Sequence, residues 1–311
     1  MSLCSTLYIA VGSKRTYARS HQIFIDFCEA FGLEPLDVTE LELCSAVAHF
    51  AMGHTVNSVP PYLSALQNRY DSNGAGPLPR GPRFLRFHSG LRRLLETSDV
   101  VVHTRALTLN DVARICGSLD PTNPLDACFG AQVTVAFFLA LRTENHADGR
   151  LRWGDVYPQE DGSLEFMLPP GKVVRTFRHV AVAARSDVIS PRKWLEALAA
   201  VLPPSAKALD KPVFVDFAVA RDGSTCFPPL SRGKFITRFK EVVSSVLGVS
   251  PILYAGYSLR RGGVTAMLAA GVPVPMIKRH VGWSPTSEAI NTYYDHTGRV
   301  VMRLPTQALR L

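Results

Sequence analysis

The sequence predicts a mainly α-helical protein with a small antiparallel β-sheet, in which a helical N-terminal domain precedes a larger C-terminal domain. Apolar residues recur at helical spacing through most of the 311 residues. Alternating apolar and polar residues, bounded by Gly and Pro turns, are confined to one stretch of the second half. Hydrophobic residues make up 47% of the chain and charged residues 19%, so a sizeable core is expected and global disorder is not.

The N-terminal domain is predicted to consist of short helices. In the first helix Tyr17, Phe24 and Phe27 recur at helical spacing, and Gly32 ends the run. Thr39 is a good N-cap for the second helix. Helices are predicted over residues 40–52, 59–70 and 87–96, with a Gly-, Pro- and Asn-containing loop at 71–82. A linker at 98–108 places the boundary near residue 100, giving domains over 1–100 and 101–311.

The second domain is predicted to mix helices with a few strands. A helix over 109–119 follows the N-cap Thr108, and the apolar stretch 124–142 predicts a buried helix that is too short for a membrane span. Strands are predicted over residues 150–156, 164–168 and 179–182, with turns at 161–162 and 169–171. Further helices are predicted over residues 191–201, 232–247, 259–270, 275–280 and 285–294.

The composition narrows the functional class. Lys and Arg outnumber Asp and Glu by 34 to 26, and the net charge of +8 favours a polyanionic partner without proving one. The six cysteines form no CxxC pair and fit no zinc module, so they are expected to be reduced and mostly buried. No signal peptide is visible, and an intracellular protein is expected.

Several cationic side chains occupy positions where they could bind phosphate. Arg142 is predicted to end an apolar helix, where its guanidinium offers a bidentate fork, although the pattern alone favours an ordinary helix-terminal arginine. Lys172 is predicted at the tip of a basic β-hairpin. Arg260 and Arg261 precede Gly262-Gly263, and such a glycine pair is tolerated in a helix where a ligand or another backbone approaches closely. Tight helix packing is the alternative explanation of the glycines.

Aromatic residues near the C-terminus complete the pattern. Trp283 follows Gly282, and its indole N–H is a donor that suits either a phosphate oxygen or a satisfied core position. Tyr293 and Tyr294 are predicted at the end of the following helix. Because adjacent helical residues point to different faces, at most one of the two tyrosines can serve a given site.

The order of these residues along the chain resembles the order of the motif residues in the tyrosine recombinase (phage integrase) family. The Gly-Trp pair resembles the Cre-like Trp variant of the family, and the segment 258–263, Ser-Leu-Arg-Arg-Gly-Gly, resembles recombinases of eukaryotic mobile elements of the Crypton and DIRS-like groups. The motifs span residues 142–294. The helical N-terminal region resembles the family's core-binding domain, so the likeness extends over nearly the whole chain and implies a C-terminal catalytic domain of the tyrosine recombinase fold.

The resemblance implies a role for each motif residue. Arg142 and Arg260 would clamp the scissile phosphate, Lys172 would protonate the leaving 5′-oxygen, and Trp283 would donate a hydrogen bond to a phosphate oxygen. A tyrosine would attack phosphorus and form a 3′-phosphotyrosyl link. The resemblance implies neither a metal nor a nucleotide cofactor.

The chain departs from the family pattern at some positions. Tyr257 stands where the family has a histidine or lysine, and a phenol is a poor general base at neutral pH. Asn145 stands where an acidic residue is usual. Tyr293 and Tyr294 are also farther from Trp283 along the sequence than the family's nucleophile usually is. Tyr294 is favoured as the nucleophile because Tyr294-Asp-His matches the family's Tyr-x-His ending, and Tyr293 is the alternative.

Basic residues outside the motifs predict contacts with the DNA backbone. They are Arg15, Arg19, Arg69, Arg83, Arg86, Arg92, Arg93, Arg175, Arg178 and Arg261. The expected partners are double-stranded DNA and further copies of the chain, as a tetramer of paired dimers on DNA. The protein is expected to be located with the DNA, in the nucleus if the source is eukaryotic. Two alternatives stay open, a catalytically decayed DNA-binding relative and an enzyme that resembles type IB topoisomerases.

Overall fold

The computed structural model describes residues 11–98, 104–170, 176–220, 222–291 and 293. The chain divides into two compact units, Met1–Val101 and Val102–Leu311. The described residues are mostly helical with small antiparallel sheets, which confirms the predicted fold class. The functions predicted for the two domains remain predictions.

The first unit consists of α1 Val11–Phe31, α2 Glu40–Met52, α3 Val59–Ser72 and α4 Pro82–Ser98. Thr39 caps α2 as predicted, in a reciprocal capping box with Glu42. The α4 helix begins earlier than predicted because the carboxylate of Glu40 accepts a hydrogen bond from the Phe84 backbone N–H at 2.6 Å. This cap comes from another helix, so local sequence does not reveal it.

The helices of the second unit surround the buried helix α6. They are α5 Leu109–Gly117, α6 Pro124–Phe138, α7 Thr143–His146, α8 Pro191–Val201, α9 Arg232–Leu247, α10 Tyr257–Ala269 and α11 Val274–Val281. Every residue of α6 from Ala127 to Phe137 is buried, and the helix packs against α8 and α10. This burial explains the unbroken apolar sequence of α6. Within the described residues, no helix is long and apolar enough to cross a membrane.

The strands of the second unit form two antiparallel sheets. The larger has the order β1 Val156–Pro158, β2 Leu164–Leu168 and β3 Arg178–Val182, and the smaller pairs β4 Ala218–Val219 with β5 Thr225–Cys226. The pairing of Leu168 with Arg178 brings the ends of β2 and β3 together. The predicted strand over 150–156 is wrong in most of its length, because residues Trp153–Asp155 form a 3₁₀ turn and, apart from an isolated bridge of Arg152 with Pro212, pairing begins only at Val156.

Two predicted helices in the second unit are shorter than expected by four or more residues. The α6 helix ends at Phe138, so Arg142 does not end it but instead occupies the N-cap position of α7. The predicted helix over 285–294 is wrong between Pro285 and Ile290, where the chain forms turns. Hydroxyl groups explain this difference, since Ser284 accepts from the Thr286 N–H and Ser287 from the Ala289 N–H.

Candidate active site

Arg260 is the centre of the candidate site in the second unit. It lies in the first turn of α10, and only 2% of it is exposed. One terminal nitrogen donates to the carbonyl oxygen of Ala140 at 2.6 Å, and the other to that of Val281 at 3.3 Å. The guanidinium therefore joins the turn after α6 to the end of α11, and these are the segments that carry Arg142 and Trp283.

The local backbone explains how a guanidinium becomes so deeply buried. A Cβ atom at Gly263 would collide with the carbonyl oxygen of Phe137, and one at Gly262 with that of Leu107. The glycine pair thus permits close packing of backbones, as the packing explanation predicts. Ala140 adopts a left-handed φ of 46°, which is uncommon for a residue with a side chain, and its carbonyl group accepts from Arg260.

Three guanidinium groups lie close together at this site. Arg142 and Arg178 are half-buried, and Arg260 is buried. Burial, followed by the positive charges of Arg260 and Arg142, lowers the pKa of Arg178 to about 10. Burial and then the charge of Arg142 also lower the pKa of Arg260. No carboxylate of the described ranges forms an ion pair with any of the three.

Arg178 holds the turn that leads to Trp283. It donates to the carbonyl oxygen of His280 and, at 3.4 Å, to that of Arg279. Its guanidinium also packs on Gly282, where a Cβ atom would lie 2.8 Å from the Arg178 Cζ. Gly282 has a left-handed φ of 69°, so it ends α11 and allows this contact.

Tyr293 lies beside these guanidinium groups. Only 2% of it is exposed, and its ring packs on that of Trp283 with 5.3 Å between centroids. Its hydroxyl lies 2.7 Å from the hydroxyl of Tyr257. Burial is the largest cause that raises the pKa of Tyr293, and the hydrogen bond with Tyr257 adds to it, whereas Arg260 acts in the opposite direction.

Trp283 links the aromatic and cationic parts of the site. Its ring lies 5.2 Å from the Cζ of Arg260, a cation–π contact, and only 7% of the residue is exposed. Trp283 and Tyr293 belong to an apolar cluster with Val264, Ile277 and Ile290. The cluster therefore fixes the indole and the phenol relative to α10.

His280 fixes the same turn from the side of α6. Its Nε2 lies 2.8 Å from the carbonyl oxygen of Phe138. Burial lowers the pKa of His280, and the charge of Arg178 lowers it further, while the hydrogen bond with Phe138 opposes the shift. The ring thus ties α11 to the end of α6, close to Arg142.

Of the motif residues predicted from the sequence, the structure brings Arg142, Arg260, Tyr257, Trp283 and Tyr293 into one region. Arg178, predicted only as a DNA contact, lies in the same cluster. Its contacts with His280 and Gly282 span about a hundred residues of sequence, so no local spacing reveals them. Lys172, Arg175 and Tyr294 lie outside the described residues.

The structure does not favour a DNA contact for Arg261. The residue is only 8% exposed, and its guanidinium donates to the backbone carbonyl and the hydroxyl of Thr104. It therefore attaches the segment before α5 to α10.

The arginines of the first unit that are predicted to contact DNA differ in how exposed they are to solvent. Arg69 is half-buried. The others are exposed and lie on α1 and α4, and they are Arg15, Arg19, Arg83, Arg86, Arg92 and Arg93. Tyr62, Tyr70 and Phe84, which alternate with basic residues in the sequence, belong to the core of the unit.

The sequence matches no protein-family model and no curated protein. The fold resembles that of the XerH site-specific recombinase bound to a palindromic difH substrate after cleavage, with a TM-score of 0.65, 16% identity and coverage of 94% of this chain and 78% of that one. It also resembles the Tn1549 transposon integrase in complex with circular intermediate DNA, with a TM-score of 0.60, 12% identity and coverage of 93% and 90%.

A lambda integrase dimer bound to a COC′ core site is similar as well, with a TM-score of 0.59, 14% identity and coverage of 96% of this chain and 75% of that one. All three identities are far below the level at which a likeness extends to activity. What they establish is architectural: the chain has the fold of the tyrosine recombinases.

Proposed function

We propose that the protein is a site-specific DNA recombinase that cuts and rejoins strands through a covalent 3′-phosphotyrosyl intermediate. The observation that carries the proposal is the position of the buried Tyr293, whose ring packs on Trp283 beside the guanidinium of Arg260 and its cationic neighbours. A phenol beside concentrated positive charge is suited to attack a phosphodiester, because the cations stabilise charge on the pentacoordinate transition state. The fold of the chain supports the same proposal.

The guanidinium cluster is the proposed binding site for the scissile phosphate. Arg142 and Arg260 would donate to its non-bridging oxygens, and Arg178 would add positive charge while holding the turn before Trp283. Their positive charges repel one another, and this repulsion adds to burial in lowering the pKa of Arg178. An anion relieves this repulsion, so phosphate binding is favoured without any metal ion.

Tyr293 is the nucleophile that we propose. Its position against Arg260 and Trp283 supports this choice over Tyr294, which the Tyr-x-His ending favours. The Tyr293 oxygen would attack phosphorus while the 5′-oxygen leaves, and Lys172 would supply the proton to that oxygen. The reverse reaction, with the 5′-hydroxyl of another strand as the attacking group, would rejoin the DNA. The phosphodiester energy is retained throughout, so no nucleotide cofactor is required.

DNA binding and assembly complete the proposal. The exposed arginines of α1 and α4 would contact phosphates, and copies of the chain would pair two DNA sites as a tetramer. The similar lambda integrase has been solved as a tetramer bound to a Holliday junction, and this supports the proposed assembly. The protein would then be located with the DNA.

Trapping the covalent adduct tests the proposed chemistry. Duplexes selected for binding from a random-sequence pool would be nicked at successive positions, so that the cleaved strand is lost and the adduct accumulates. We expect a covalent protein–DNA species that disappears in Tyr293→Phe and persists in Tyr294→Phe. Peptide mapping of the adduct identifies the modified tyrosine directly. An adduct that survives in Tyr293→Phe and disappears in Tyr294→Phe would contradict the assignment.

A DNA-binding protein without cleavage activity is the second candidate. The deep burial and raised pKa of Tyr293, together with Tyr257 in place of the family's basic residue, favour it. This candidate predicts selective duplex binding with no adduct at any pH. Relaxation of supercoiled DNA without sequence preference would instead support an activity like that of type IB topoisomerases.

A further inference from the structure

The position of Arg142 depends on α7, which is a single helical turn. The turn spans only four residues, Thr143–His146, and Arg142 precedes it with an extended backbone. The Asn145 N–H donates to the carbonyl oxygen of Arg142 at 2.8 Å, which joins the arginine to the turn. A single turn is not stable in isolation. The place of the Arg142 guanidinium is therefore set by the groups that hold α7.

Both ends of α7 are buried against other elements of the second unit. At its start Thr143 packs on α10, where a Cβ atom added at Gly256 would collide with the Thr143 Oγ1. At its end His146 is 1% exposed, and its ring lies nearly perpendicular to that of Phe235 with 5.0 Å between centroids. The His146 Nδ1 lies 2.9 Å from the Nε2 of Gln132, in the middle of α6. The turn is therefore held between α10 and α6.

The hydrogen bond between Gln132 and His146 is not the most stable way to fill this part of the core. Gln132 is fully buried, and its Oε1 and the Nε2 of His146 have no protein partner within the described residues. A buried polar atom without a partner costs stability, whereas two apolar side chains of similar shape can be as stable or more stable. What the pair adds is direction, because a hydrogen bond restricts distance and angle and an apolar contact does not.

We propose that Gln132 and His146 are positioning residues that set the guanidinium of Arg142 to bind the scissile phosphate together with Arg260. This inference rests on the proposed function, in which Arg142 donates to that phosphate. Both residues are buried, so they act through α7 and not by contact with DNA. Burial lowers the pKa of His146 to about 3, so the ring is neutral at physiological pH and acts through geometry, not charge.

Replacing both members of the pair separates positioning from stability. We expect Gln132→Leu with His146→Leu to keep or raise the urea midpoint of unfolding at neutral pH, because two unpartnered polar atoms are removed. The same double variant should slow single-turnover cleavage of the nicked duplexes, at saturating protein, by about 10- to 100-fold, the loss expected when a catalytic group is displaced by up to about 1 Å. A pair that only fills the core would leave the rate of the folded protein unchanged.

Thr134→Val is the matched control. Thr134 is a fully buried polar residue of α6, two positions after Gln132, but its hydroxyl donates to carbonyl oxygens of its own helix. This variant should cleave at the wild-type rate. His146→Asn is the conservative variant, because its Oδ1 can accept from Gln132 as the imidazole Nδ1 does. It should cleave faster than His146→Leu, and this comparison tests the proposal even if the double variant folds poorly.

Combination with Arg142→Gln identifies the group that the pair positions. If the pair acts through Arg142, adding both leucine substitutions to Arg142→Gln should slow cleavage by less than about twofold further, since the positioned guanidinium is already absent. Sulfate provides a measurement that does not depend on cleavage. It should raise the melting temperature of the wild type more than that of Arg142→Gln or of the double variant.

The outcomes distinguish the positioning role from the proposed function. If the wild type forms no adduct, the proposed function fails, and equal sulfate shifts in the wild type and the double variant would then overturn the positioning role as well. If the wild type forms an adduct and the double variant cleaves at the same rate, the positioning role is wrong. An undiminished further loss in the Arg142→Gln background would also overturn it, because the pair would then act on another group of the site.

Discussion

Arg178 combines a positive charge with a structural contact. Its guanidinium donates to the carbonyl oxygens of the turn before Trp283 and carries a positive charge that Arg260 and Arg142 repel. We expect Arg178→Gln to lower the single-turnover cleavage rate by about 100-fold or more, the size typical of one lost charge-stabilising donor. Arg178→Lys keeps the charge but not the forked geometry, so it should lie between Arg178→Gln and the wild type.

Arg192→Gln is the control for this prediction, because Arg192 is half-buried like Arg178 but pairs with Glu196 on α8 and donates to the carbonyl oxygen of Gln159. It should retain the wild-type rate. Sulfate provides a second measurement, since an anion that fills the cluster should raise the melting temperature of the wild type more than that of Arg178→Gln. Equal shifts in the two proteins would contradict the view that Arg178 belongs to the anion site.

We expect the buried His146 to make the stability of the second unit sensitive to acid. It is 1% exposed, and burial lowers its pKa to about 3. An unfolded histidine titrates near pH 6.5, so between these values the unfolded state binds a proton that the folded state rejects. The unfolding free energy should therefore fall as pH decreases, by about 2 kcal/mol between pH 7 and pH 5.

Urea unfolding followed by tryptophan fluorescence measures this effect, because Trp153, Trp194 and Trp283 all lie in the second unit. His146→Gln should flatten the pH dependence even though it is less stable at neutral pH. His179→Gln, at an exposed position of β3, should keep the wild-type slope. A wild-type slope in His146→Gln would show that other groups cause the acid sensitivity.

Site residues differ in how far the sequence alone identifies them. Arg260, Tyr257 and Trp283 lie in short motifs, so their spacing is informative. Arg178 is not found this way, because its partners lie on α11 and the following turn. The choice between Tyr293 and Tyr294 depends on which tyrosine packs against Trp283, and sequence spacing does not determine that packing.

At the scale of elements, the α10 helix depends on its glycine pair. Replacing a helical glycine by alanine normally stabilises a helix by about 1 kcal/mol. At Gly262 and Gly263 the added Cβ would collide with the carbonyl oxygens of Leu107 and Phe137, and backbone cannot move as a flexible side chain does. We expect Gly263→Ala to destabilise the second unit by about 1–3 kcal/mol, the range for overpacked cores.

Gly233→Ala in α9 is the matched control for this prediction. Gly233 is exposed in the same unit and has no neighbouring atom within 4 Å of an added Cβ, so the substitution should stabilise or leave stability unchanged. Urea unfolding of both variants measures the difference. A Gly263→Ala protein as stable as the wild type would mean that α10 can shift away from α6 at little cost.

Helix boundaries show which signals the sequence carries at this scale. The bounds of α2, Glu40–Met52, match the prediction because an N-cap and an apolar pattern define them locally. The predicted helix after Trp283 fails because serine hydroxyls hold the chain in turns. The end of α6 depends on Arg260, which binds the carbonyl oxygen of Ala140 from another helix. Helix propensity in the sequence does not describe such tertiary contacts.

At the scale of the whole molecule, the net charge of +8 favours a polyanionic partner but does not show where that partner binds. Among the basic residues, the structure distinguishes the cluster around Arg260, the buried Arg261, and the exposed arginines of α1 and α4. These groups should respond differently to salt, because only an exposed cation exchanges counterions freely with a DNA backbone.

The exposed arginines of α4 provide the test of that distinction. Each arginine that contacts a phosphate contributes about 0.9 to the slope of log K against log salt concentration, so Arg83→Gln with Arg86→Gln should make the slope less negative by about 2. Lys211→Gln, at an exposed residue paired with Asp210, should leave it unchanged. Filter binding to a non-specific duplex at several salt concentrations gives the slopes. Parallel lines for the double variant and the wild type would remove α4 from the DNA interface, while the proposed active site would remain untouched because its residues lie in the second unit.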